Sequence, residues 1–137
     1  MRHLALGIAA VAAVLAAPGL SQAAVYKVGH CQITVPDGWV TSKSRIARPD
    51  KKVWASLMEA PTAGEIVTVY KNLKVAMVSD GPGMTLMAET ASYGGLTNKS
   101  YHAITKTSPS CDADVVFPNG PDDALGKQIA LSVKVAR

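Results

Sequence analysis

The start of the chain decides how much of it is left to fold. Behind Met1-Arg2-His3, the run Leu4 to Ala17 extends for 14 residues without a charged or strongly polar side chain. That length suits the apolar core of a signal peptide and falls short of a membrane-spanning helix. Pro18-Gly19 interrupts the run, and Ser21 and Ala23 place small side chains at −3 and −1 of a cut after Ala23. We read residues 1–23 as a cleavable secretory signal peptide. An uncleaved anchor would need a longer run. A lipoprotein signal would need a Cys directly after it, and the first is Cys31. The remainder, 24–137, has the length of one domain with one core, and its expected location is periplasmic or secreted.

Export changes how the cysteines are read. Cys31 and Cys111 are the only two. In an oxidising compartment such a pair predicts one disulfide, with two separate buried thiols as the alternative. The bond would close a loop of roughly 80 residues, a constraint of about 4 to 5 kcal/mol in the chain-entropy model.

Along the domain, Val25 to Val35 predicts a strand, closed by the turn residues Pro36-Asp37-Gly38, with Trp39 packing back on the core. Val53–Glu59 predicts a second strand. Glu65–Tyr70 is β-branched and aromatic, which favours a strand continuing to Val78. Ile66, Val69, Tyr70, Leu73 and Met77 equally fit a helical stripe. Met84, Met87, Ala88 and Ala91 recur at helical spacing after Gly81-Pro82-Gly83, so a helix is expected there, stopped by Gly94-Gly95. Ser100–Thr107 and Asp112–Phe117 predict two strands around Ser108-Pro109-Ser110. After Pro118-Asn119-Gly120-Pro121, Asp122 and Asp123 suit a helix start. Residues 129–135 fit helix and strand alike. The order implies an α+β fold: an antiparallel sheet with two helices packed on it, in a single small domain after the signal peptide.

The apolar strand running into Pro36-Asp37-Gly38-Trp39 resembles the opening of PsbP-like α/β/α sandwich domains. The close Ile129-Ala130-Leu131-Ser132-Val133 is similar to theirs, and the order of elements agrees across most of the domain. The resemblance implies a non-catalytic accessory, binding or envelope protein. It carries over no catalytic residue, and the cysteine pair is no part of it.

The residue chemistry points the same way. No serine stands in Gly-x-Ser-x-Gly. Beyond the signal peptide the histidines are His30 and His102, expected on exposed strand surface. Asp112 and Asp114 share a strand face without forming an obvious acid–base pair. Gly81-Pro82-Gly83 lacks the Lys-Ser/Thr of a phosphate loop. The expectation is therefore no enzyme, no catalytic residue and no cofactor. Losing Arg2 leaves 13 basic against 10 acidic side chains, and aromatic residues are few, so nucleic acid is not an expected partner. No transmembrane segment is expected in the mature chain.

One stretch is strongly charged. Lys43, Arg45, Arg48, Lys51 and Lys52 crowd a polar segment with Asp50, and they are the candidate contacts for an acidic envelope protein or an anionic surface. The functional expectation is an exported binding or accessory module, of inhibitor, immunity or envelope-complex type. The alternative is a periplasmic copper-handling protein using His30, His102, Met77, Met84 and Met87. A small envelope enzyme would require a cleft that joins His102 to an aspartate.

Overall fold

Residues 22–136 are described by the computed structural model. Of the predicted signal peptide only Gln22 and Ala23 fall among them, and Ala23 begins the first strand. Strands β1 (Ala23–Val28) and β2 (Cys31–Pro36) form a hairpin. Val25 to Val35 is thus two strands rather than one. Gly29 takes φ +58° at the turn, a left-handed value that glycine reaches without a Cβ clash.

Short strands β3 (Val40–Thr41) and β4 (Ile46–Ala47) lead to β5 (Trp54–Ala60). Helix α1 (Ala63–Asn72) comes next, where Glu65–Tyr70 was expected to be a strand. The helix is started by Thr62, whose side chain accepts a hydrogen bond from the Glu65 backbone N–H, and it ends at Leu73 before Lys74 at φ +67°. The cap and the stripe ending at Leu73 outweigh the β-branched residues inside it. The chain then gives β6 (Ala76–Asp80), in the second half of that predicted strand.

Met84 to Ala91 is likewise not a helix but part of β7 (Met84–Tyr93). Both faces of this strand are covered near its start, with Leu86 and Met87 each buried, so alternation is blurred and a helical spacing arises by coincidence. Gly94 and Gly95, both at positive φ, form the turn into β8 (Leu96–Thr105). Strand β9 (Ser110–Pro118), helix α2 (Asp123–Leu131) and β10 (Lys134–Val135) complete the chain, so 129–135 is helix first and strand last.

Every strand pairing is antiparallel. One sheet has the order β1-β2-β10 and the other β3-β4-β5-β9-β8-β7-β6. The larger sheet carries α1 on one face, where Ile66 meets Val75, Met87 and Ile104. Its other face is covered by the small sheet and α2. There Ile33, Val35, Ile129 and Val133 pack on Ala113, Val115 and Phe117. The expected fold class is the one observed, α+β with two helices on an antiparallel sheet. No helix among the described residues is long and apolar enough to cross a membrane.

The disulfide forms. Cys31 of β2 and Cys111 of β9 are bonded, both fully buried, and so pin the two sheets together. Helix α2 depends on a glycine, because a Cβ on Gly126 would strike the ring of Phe117, itself fully buried. Gly126→Ala should therefore destabilise the protein by about 1 to 3 kcal/mol through overpacking. A melt equal to or above wild type would show that the ring can move aside.

Candidate functional site

The register of β8 and β9 sets His102 opposite Asp114 on the face beneath α1. Asp112 lies two residues from Asp114, on that same face. Glu89 reaches His102 from β7, and Tyr70 descends from α1. His102 Nδ1 lies 2.6 Å from Asp114 Oδ1, and Nε2 lies 2.8 Å from Glu89 Oε2. The Tyr70 hydroxyl shares its proton between Asp112 Oδ2 at 2.5 Å and Asp114 Oδ1 at 2.9 Å. Its ring centroid is 4.3 Å from that of His102. His102 is 6% exposed, and Asp112 is wholly buried. Among the described residues, Asp112 Oδ1 has no hydrogen-bond partner.

These environments set the charges. Burial first, and the neighbouring Asp114 carboxylate second, push Asp112 up to about 8. Burial also pushes Asp114 upward, but hydrogen bonds from His102, Asp112 and Tyr70 outweigh it and hold that carboxyl below its ordinary range. Burial depresses His102, yet Asp114 and Glu89 prevail and raise it. Burial and the two aspartates push the Tyr70 phenol far upward, leaving it a donor. The surroundings therefore favour the protonated form of Asp112 and the ionised form of Asp114, with the His102 imidazole between Asp114 and Glu89.

The residues singled out from sequence are distributed differently. His102 is buried rather than exposed. His30 is exposed but belongs to the β1–β2 turn, where it contacts Glu59 Oε1 at 3.0 Å. The methionines do not gather. Met87 packs beneath α1 with Ile66, Val75 and Ile104, whereas Met84 packs against the opposite core. Met77 lies partly exposed on β6. The cysteines are bonded to each other and offer no thiolate. Gly81-Pro82-Gly83 connects two strands, so no helix starts there.

No protein-family profile and no curated protein matches the chain. Solved structures do. A crystal structure from Bacteroides thetaiotaomicron matches with a TM-score of 0.45 and 14% identity over 85% of this chain. This chain spans only 43% of the length of that protein. The neighbours also include a PsbP. It is the solution structure of cyanobacterial PsbP (CyanoP) from Synechocystis sp. PCC 6803, with a TM-score of 0.42 and 12% identity over 86% of this chain and 95% of that one. The resemblance noted at Pro36-Asp37-Gly38-Trp39 names this same family. Neither likeness assigns an activity or a residue role.

The basic segment occupies β3, β4 and the loop into β5. Arg48 is engaged within the fold. It pairs with Asp50 at 2.9 Å and with Asp122, at the start of α2, also at 2.9 Å. The two aspartates raise it well above its ordinary value. Among the described residues, Lys43, Arg45, Lys51 and Lys52 have no ion-pair partner. The Arg45 guanidinium lies 4.0 Å over the Trp54 ring. Val40, Arg45, Lys51 and Trp54 line an open cavity of about 350 Å³. Tyr70 and Glu89 went unrecognised in the sequence because both lay in elements of the wrong type. The pairing of His102 with Asp114 was within reach from the two correctly placed strands.

Proposed function

We propose that this chain is an exported, non-enzymatic binding or accessory module that docks an acidic envelope partner through the basic segment of β3, β4 and the loop into β5. The observation that carries the reading is a set of cations without ion-pair partners among the described residues, Lys43, Arg45, Lys51 and Lys52, of which Arg45 and Lys51 line the cavity beside Trp54. Cations left without internal carboxylates keep their full charge for a partner, and an Arg-stacked Trp supplies apolar contact beside them. Arg48 serves differently: by holding Asp122 it fixes the segment against α2 and preorganises the surface. Export is supported by the buried disulfide, a bond that persists in oxidising compartments. The non-enzymatic reading is supported by the placement of the His102 cluster beneath α1 and behind the Tyr70 ring.

Reversing Lys43, Arg45, Lys51 and Lys52 to Glu, with Arg48 kept, should lower capture of the partner from envelope extract at least tenfold and leave the melting temperature near wild type. Capture that is unchanged by the reversal would remove the segment as the interface. Binding to anionic vesicles but to no protein would assign the same cations to a lipid surface instead.

A further inference from the structure

We infer that His102, Asp112 and Asp114 form a site for a divalent cation of the zinc class. One ligand atom from each of the three lies within 4.8 Å of the others. Zinc holds nitrogen and oxygen ligands at about 2.0 to 2.2 Å, which places them roughly 3.3 Å apart, so modest side-chain rotation closes the set. A second observation is independent of this spacing. Asp112 is wholly buried, and its Oδ1 has no hydrogen-bond partner among the described residues. A buried carboxyl oxygen left without a partner is costly, and a cation bound in place of the acid proton would satisfy it.

The surrounding groups have the form of an outer shell. A metal-bound imidazole usually donates its other N–H to a carboxylate. Here Nδ1 faces the aspartate pair, while Nε2 lies 2.8 Å from Glu89 Oε2. Tyr70 holds both aspartates by its hydroxyl. The ion would displace two protons to solvent, the Asp112 carboxyl proton and the one joining His102 Nδ1 to Asp114, and Nε2–H would go on donating to Glu89. An imidazole with two carboxylates suits zinc better than calcium, which takes six to eight oxygens. Cu(I) is disfavoured because the nearest thioether in register, that of Met87, packs with Ile66, Val75 and Ile104.

The test is zinc uptake by purified, chelator-treated protein, followed by titration calorimetry and elemental analysis. One zinc per chain with micromolar or tighter affinity is expected, and zinc should raise the melting temperature. Asp112→Asn and His102→Gln should each weaken binding at least tenfold, with folding checked by circular dichroism. His30→Ala should leave it unchanged. The inference is overturned if wild type takes up no zinc, if both core variants bind like wild type, or if His30→Ala abolishes binding. Calcium that binds as tightly as zinc would also overturn it, since the imidazole would then contribute nothing.

Discussion

Chelator-treated protein should lose stability steadily as the pH rises from about 5 to about 8, and Asp112→Asn should remove most of that loss. The folded-state value of Asp112 is raised from 3.8 to about 8 by burial and by Asp114. The native state therefore binds a proton that the unfolded chain has released across that window. The stability from this proton is complete below the unfolded value and is lost as pH climbs through the folded one. His102 is raised as well, so its contribution declines in the same direction, but only above 6.5, where the unfolded imidazole begins to deprotonate. Asp114 is lowered, and its contribution disappears as pH falls instead. Between about pH 5 and pH 6.5, Asp112 is thus the member of the cluster that sets the slope. An asparagine keeps the shape of the protonated acid and cannot lose its proton. We expect the wild-type melting temperature to drop on the order of 10 °C across the full range, with the variant the more stable above pH 8. Equal slopes for the two proteins between pH 5 and pH 6.5 would mean that the proton is not on Asp112.

Reduction of the disulfide should have an effect of similar size. Cys31 and Cys111 are 80 residues apart in sequence and belong to different sheets. Opening the bond frees a long loop in the unfolded chain, which costs about 4 to 5 kcal/mol in the chain-entropy model. For a domain of this length that corresponds to roughly 15 °C in melting temperature. The double variant Cys31→Ala/Cys111→Ala should melt with the reduced wild type, lowered further by the small cavity it creates. If oxidised and reduced proteins melt within about 2 °C of one another, the bond adds little to stability.

The local sequence specified some parts of this fold better than others. Strands β2, β5, β8 and β9 were visible as short runs rich in apolar and β-branched residues bounded by turn residues, and in β2 the buried Cys31, Ile33 and Val35 alternate with partly exposed neighbours. Helix α1 and strand β7 were interchanged for a common reason. In α1 the β-branched residues Ile66, Val67 and Val69 favour a strand, and only the Thr62 cap and the stripe to Leu73 argue otherwise. In β7 the apolar residues fall on both faces, so a period of two is hidden. The same interchange concealed the candidate site. His102, Asp112 and Asp114 all stood in correctly predicted strands, and a turn centred on Ser108 pairs His102 with Asp114. Tyr70 belonged to a helix read as a strand, and Glu89 to a strand read as a helix. The burial that shifts Asp112 comes from α1, and no property of residues 112–114 alone reports it.

Ile66 is the sole fully buried residue of α1; Ala63, Val67 and Tyr70 are partly buried beside it, and Val69 and the capping Leu73 are exposed. With a single fully buried side chain, α1 is expected to open locally before the sheet unfolds. The His102 centre lies directly beneath it. Glu89 and Asp114 still reach solvent at its edge, whereas Asp112 is wholly enclosed. Local opening of α1 is thus expected to set how fast the Asp112 proton exchanges with solvent, while the sheet sets where that equilibrium lies.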